Sequence, residues 1–289
     1  MMRSLLLLLV LAPAFLGAQS KRGPNYNQRA KQGIQAKFLE KQWWLGFKAG
    51  SNVTRANPTQ RYAILTPTNY DPALNHKVYE SFTEFGFQAT VEASFFYKGF
   101  LFSAQPTYRQ SSFAYSNQFE WDNPENSTDR LLLKYNQLQR LDFLDLPFIV
   151  KYEVGGNKLR PYVQAGVFYS LLLNGTKEVV VSGTDFASGG TNSFQNEALI
   201  IGAKDLFDNY WGALAGAGVN YSLGNVRLTL DASYRMGQSN IANIANRFSN
   251  DRLNGIGDAQ DDLKINNIVV SLGCLFPLRF LASSFKSVD

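Results

Sequence analysis

Read at every second position from Phe85, the stretch 82–98 gives Phe85, Phe87, Ala89, Val91, Ala93, Phe95 and Tyr97. The interleaved set is Glu84, Gly86, Gln88, Thr90, Glu92, Ser94 and Phe96. Side chains of a strand alternate between its faces. The pattern therefore predicts a strand with one apolar face and one face carrying two carboxylates. Strands of water-soluble sheets usually run about five or six residues. A longer one, with aromatics at both ends, predicts a bilayer crossing in a closed barrel, with the apolar face toward lipid and the polar face toward the lumen.

The alternation recurs along the chain. It predicts further strands at 43–54, 100–109, 143–153, 160–173, 211–221, 226–237 and about 267–276. Pro106 fits the third poorly, because proline removes a ladder donor. Tight turns fall at Lys98-Gly99, Gly155-Gly156-Asn157 and Gly224-Asn225, and long loops at 55–80, 111–140, 174–210 and 238–264. Eight strands joined by alternating long and short connections predict an all-β fold: an eight-stranded antiparallel up-and-down transmembrane β-barrel, with short periplasmic turns and long extracellular loops. Both termini would then be periplasmic. A soluble barrel around a ligand cavity has the same period and differs only in which face points outward. Strand length and the ends marked by Trp43, Tyr97, Tyr108, Tyr169, Trp211 and Tyr234 favour the membrane.

The start of the chain changes the picture. A basic start, the leucine-rich run 5–10 and small residues up to Ala18 predict a signal peptide over 1–18. A basic periplasmic segment over 19–42 follows, then the barrel over 43–278 and a tail over 279–289. The segment 21–42 holds Lys21, Arg22, Arg29, Lys31, Lys37 and Lys41 against Glu40, which accounts for the net charge of +5 and leaves a nearly neutral body. The basic balance thus says nothing about nucleic acid, and no nucleic-acid partner is expected. Mean hydropathy is −0.19, unsuited to a helical membrane bundle and compatible with a barrel whose lumen and loops are polar. The single cysteine, Cys274, excludes an internal disulfide framework.

The elements LGFKAGSNV, FGFQATVEASFF, FSAQPTYRQ, LDLPFIVKYEV, RPYVQAGVFYSLLL, GALAGAGVNYSL and RLTLDASYRMG resemble, in order, the PorT-like outer-membrane β-barrel family common in the Bacteroidota. The Leu146-Pro147 step before Lys151-Tyr152, and the Arg160-Pro161-Tyr162 run up to Gly166, are its most specific part. The resemblance implies an integral barrel of the cell outer membrane. It does not imply a single activity, although one founding member is tied to protein secretion.

The predicted inward faces carry Lys48, Arg109, Lys151, Arg227 and Arg235 against Glu84, Glu92, Asp145, Glu153 and Asp231. Isolated buried charges are very costly, and eight strands leave an interior just wide enough for side chains to fill. These ten residues are expected to form a lumen charge network, with Asp231 between Arg227 and Arg235 at its centre. The first alternative is a narrow or gated channel. The second is an outer-membrane lipid-modifying enzyme using His76, the sole histidine, which lies in the first long loop near Asp71 and Ser81. The aspartates 251, 258, 261 and 262 lack calcium-loop spacing and read as solvated surface. No phosphate loop, dinucleotide fingerprint or metal-ligand spacing appears. No cofactor, metal or catalytic residue is assigned. The expectation is a non-enzymatic structural or interaction protein of the envelope, with an accessory role in protein secretion or envelope assembly as its narrower form. Its partners would be outer-membrane lipid, lipopolysaccharide and envelope or secretion-machinery proteins.

Overall fold

The computed structural model describes residues 41–62, 77–123, 125–156, 158–187, 190–223, 226–255 and 258–278. The predicted signal peptide, nearly all of the basic segment, the tail over 279–289, His76 and the Gly224-Asn225 turn lie outside the described residues. Among the described residues twelve strands follow one another: β1 Lys41–Gln60, β2 Val78–Tyr79, β3 Ser81–Tyr97, β4 Phe100–Ala104, β5 Thr107–Asn123 and β6 Asn126–Glu153. Then come β7 Leu159–Asp185, β8 Asn192–Gln195, β9 Leu199–Gly202, β10 Tyr210–Leu223, β11 Val226–Gly237 and β12 Asp262–Pro277. A 3-10 turn at Lys204–Leu206 and a short helix α1, Asp251–Gly255, lie between strands.

The ladder closes on itself. β1 pairs with β3, β3 with β4 and β5, those two with β6, and β6 with β7. β7 pairs with β10, β10 with β11, β11 with β12 and β12 with β1, all antiparallel. β4 and β5 are one course interrupted at 105–106, where Pro106 has no N–H to give and its carbonyl instead accepts from Val91 N at 3.0 Å. Counted as one, they make eight courses around a closed barrel. Between β3 and β4 the turn is Lys98-Gly99, with φ of 48° and 89°. Two left-handed residues make the hairpin turn whose twist matches the strands, and glycine takes the second place without strain.

Outward side chains decide between the two barrel types. Phe47 (62% exposed), Phe85 (77%), Val91 (60%) and Leu272 (61%) belong to a continuous apolar belt that also includes Phe148, Val163, Val167 and Leu230. A soluble protein rarely shows so large a contiguous apolar surface. The cavity-barrel alternative requires these faces to point inward; they point outward.

All four predicted long loops are partly strand, the fourth only at its end, where β12 begins at Asp262. β1 runs on to Gln60, β7 runs on to Asp185, and 111–140 is almost wholly β5 and β6. Period-2 alternation continues there with its sense reversed. Phe113, Tyr115 and Phe119 of β5 and Tyr135 of β6 turn inward and are buried, while Gln118 and Lys134 turn out to water. In β7 an extra residue near Leu173 shifts the register, because Phe143 pairs with Leu172 and Asp142 with Asn174. β5, β6 and β7 thus project farthest beyond the apolar belt, and Ala203, Leu206, Phe207, Ile241 and Leu253 of the described connections pack into the core at the same end.

The interior is layered. At the turn end sit Trp44, Phe96, Leu101 and Leu275. A polar, ion-paired layer follows, with Ile149, Leu214 and Val269 on part of its wall. At the loop end is the main apolar core, including Phe113, Leu141, Phe143, Val179, Ile241, Leu263 and Ile265. Two glycines of β10 make room for aromatics of β7. A Cβ on Gly212 would stand 2.5 Å from the Phe168 ring, and one on Gly218 would stand 2.5 Å from the Tyr162 ring.

Candidate functional site

The inward alternate positions bring charges from six courses into the middle of the barrel, where they form three groups. In the first, Lys151 Nζ donates to Glu92 Oε1 at 2.7 Å, and Ser94 Oγ and Ser103 Oγ donate to the same oxygen at 2.5 and 3.0 Å. Lys48 Nζ donates to Asp231 Oδ2 at 3.1 Å and to Gln105 Oε1 at 3.0 Å. It also faces Glu92 Oε2 at 3.0 Å as an ion pair without hydrogen-bond alignment. Tyr162 OH donates to Asp231 Oδ2 at 3.1 Å. Two ammonium groups thus meet two carboxylates.

Asp145 is the centre of the second group. Arg109 grips it through Nε (2.7 Å) and Nη2 (3.2 Å), Arg235 Nη1 approaches Oδ2 at 2.6 Å, and Ser170 Oγ donates to Oδ1 at 2.6 Å. Arg109 further donates to Tyr210 OH at 2.6 Å, Asn267 Oδ1 at 3.3 Å and Ser111. The second guanidinium is not matched by a second carboxylate. Aromatic faces take part of its place: Arg109 lies 4.8 Å from the Phe143 ring and Arg235 4.8 Å from the Phe168 ring.

In the third group, Glu153 accepts from Arg227 Nη1 at 3.1 Å, Arg160 Nη1 at 3.4 Å and Asn220 Nδ2 at 2.7 Å. Arg227 also lies 4.0 Å over Trp44, which ties this group to the turn-end apolar layer.

Nine of the ten expected lumen residues stand in these groups. Glu84 does not: it is half-buried near the end of β3 and forms no ion pair among the described residues. The expected centre is corrected as well. Asp231 pairs with Lys48, whereas Arg227 goes to Glu153 and Arg235 to Asp145. Four-residue steps along one strand leave these three too far apart to share a partner, so each turns to another strand. Arg160, Gln105, Tyr162 and Tyr210 join the groups in addition to the ten expected residues. Their signal was present in the sequence, since Tyr162 and Gln105 occupy inward alternate positions. Packed together, the side chains leave a cavity of about 20 Å³ beside Lys48, Gln88, Gln164 and Asp231, room for about one water.

A second charged cluster lies in the loop-end core. Lys77 Nζ is 3.3 Å from Asp258 and 3.2 Å from Asp261, and Lys177 Nζ also pairs with Asp258. Gln137 Nε2 donates to Asp258 at 3.2 Å, and Tyr79 OH donates to Asp261 at 2.7 Å. The expectation of solvated aspartates is overturned for this pair, at 2% and 0% exposed. Lysines distant in sequence neutralise them, a pairing that local spacing does not reveal. Burial raises the Asp258 carboxyl, but Lys177 and Lys77 outweigh it and hold the group down at about 2. Burial also pushes the Tyr115 hydroxyl well up, with Asp258 adding to it. This cluster pins the connection before β12 onto β6 and β7.

The chain matches the family model described as "Outer membrane protein beta-barrel domain" over residues 18–243. No curated protein matches. Among solved structures, Neisserial surface protein A (NspA) is similar at 12% identity, with 80% of this chain and 96% of that chain covered and a TM-score of 0.30. Outer Membrane Protein W of E. coli is similar at 11% identity, with 82% and 98% covered and a TM-score of 0.33. Outer membrane protease OmpT of Escherichia coli is similar at 8% identity, with 82% and 95% covered and a TM-score of 0.28. At such identities and scores no residue role passes from them to this chain.

Proposed function

The chain belongs to the outer membrane protein beta-barrel domain family, and on that premise we propose a closed barrel that serves the cell envelope as a structural or interaction protein. The observation that carries this reading is the state of the lumen. Its carboxylates are each held by cations, and the cavity beside Lys48 and Asp231 has room for about one water. A steady ionic path needs a continuous column of water, which these side chains occupy. The interaction role draws on the tall β5–β6–β7 sheet, which extends beyond the apolar belt and exposes Trp121, with Phe186 just after β7 and Phe194 of β8 also exposed beside it. The PorT-like resemblance supports an accessory role in protein secretion or envelope assembly, with envelope proteins, lipid and lipopolysaccharide as partners. In this reading the loop end faces outward from the cell and both termini are periplasmic. The chain is read as non-enzymatic.

Planar-bilayer recording tests the closed state. The unmodified barrel is expected to give no steady conductance. A large, steady current, with ion selectivity altered by Asp231→Ala and thermal stability unchanged, would replace this reading with the channel.

A further inference from the structure

The rim just beyond the apolar belt is not uniform around the barrel. On β1 the last outward apolar side chain is Val53 and the next outward residue is Arg55; on β12 the outward sequence is Ile268, Asn266, Lys264. The register sets Arg55 opposite Asn266 and Asn57 opposite Lys264. Both cations therefore share one outward face as diagonal cross-strand neighbours, about 7–8 Å apart. Among the described residues neither forms an ion pair. The carboxylate next along this face of β12, Asp262, is already held by Arg247 and Asn240. On the β6–β7 side the matching position is neutralised: Arg140 Nη1 lies 3.5 Å from Glu178, and Asp142 is beside it.

Two uncompensated cations, two flanking amides and an apolar wall immediately below match an anionic phosphate that carries acyl chains. Cationic side chains at this depth attract anionic headgroups, and the wall of Val53, Ile268, Val270 and Leu272 suits the chains. Resting on the membrane reading above, we infer that Arg55 and Lys264, with the amides of Asn57 and Asn266, hold the phosphate of an anionic lipid against the outer wall of β1 and β12.

The full chain, Arg55→Gln/Lys264→Gln, Arg55→Lys and Arg140→Gln are folded into phosphatidylcholine vesicles with and without phosphatidic acid. Lipid retained after gentle solubilisation is counted by native mass spectrometry. The unmodified chain and Arg55→Lys are expected to retain phosphatidic acid in preference to phosphatidylcholine. The double variant should lose this preference by about fivefold for each charge removed, and Arg140→Gln should keep it. Equal preference in the double variant, equal loss in Arg140→Gln, or displacement by inorganic phosphate, which would make this a free-anion site, each overturns the inference. Failure of the unmodified chain to become protease-resistant in either vesicle overturns the membrane reading itself, and the lipid site with it.

Discussion

Strand β6 passes through both halves of the molecule, and its two halves have opposite polarity. Toward the turn end its outward side chains are Leu144, Leu146, Phe148, Val150 and Tyr152, and inward it carries Asp145, Lys151 and Glu153. Toward the tip, Lys134, Asn136, Arg140 and Asp142 point out, while Tyr135, Leu141 and Phe143 are buried. β12 reverses in the same way between Asn266 and Ile268. What changes at that level is the solvent outside. In water, burying apolar area contributes about 25 cal/mol per Å², so the projecting half keeps its apolar groups inside. Against lipid that drive is largely absent, because acyl chains are as apolar as a leucine side chain. The interior of the spanning half is then held by paired charges and hydrogen bonds, which are strong where water is excluded.

If paired charges hold the spanning half, the largest loss should come from its most shared carboxylate. Asp145→Ala leaves Arg109 and Arg235 without their common partner, and breaking such a buried pair costs about 3–5 kcal/mol. Asp231→Ala should cost less, because Glu92 still faces Lys48 at 3.0 Å. The readout is the temperature at which the folded gel band converts to the unfolded one. A loss below about 1 kcal/mol at Asp145, the range of exposed pairs, would mean that water reaches these guanidinium groups and the contrast between halves is false.

Moving charge across the boundary sharpens the contrast. Val91→Arg and Leu230→Arg place a cation on the lipid face near the middle of the belt, at a cost of about 2–4 kcal/mol each. Asn136→Arg, also outward but above the belt, should change stability by less than about 0.5 kcal/mol. Denaturant titration in vesicles compares them. Equal costs at the three sites would put the belt in the wrong place.

The two halves also differ in how far they could be read from sequence. The spanning strands were legible because their apolar faces run unbroken: Phe85 to Tyr97 needs no knowledge of its neighbours. The inward charges could be named for the same reason, but their partners could not, since pairing depends on which strand lies across the lumen. Residues 111–140 look like loop in the sequence because Ser, Asn and Gln alternate with aromatics there, a composition shared with loops, and the reversed sense of alternation hides the strand. The buried Lys77–Asp258–Lys177 group left no local trace, because its members come together only when β7 and two connections meet.

That group supplies the smallest effect, and it is specific to the projecting half. The Asp258 carboxyl is held at about 2, below its ordinary value of 3.8. A carboxylate depressed in the folded state contributes stability that is present above the unfolded value and is lost as pH falls through the folded one. The window is therefore about pH 4 to 2, and a shift of this size corresponds to about 2 kcal/mol. Hydrogen-exchange protection, corrected for intrinsic rates, should fall across the window at the amides of Tyr135 and Val179. Thr90 and Val150, in the lipid-bounded half, should keep theirs. Asp258→Asn should flatten the response at Tyr135 and Val179, since no carboxylate is left there to protonate. A parallel fall at Thr90 and Val150, or an unchanged fall in Asp258→Asn, would show that acid loosens the barrel as one unit and that the two halves are not held separately.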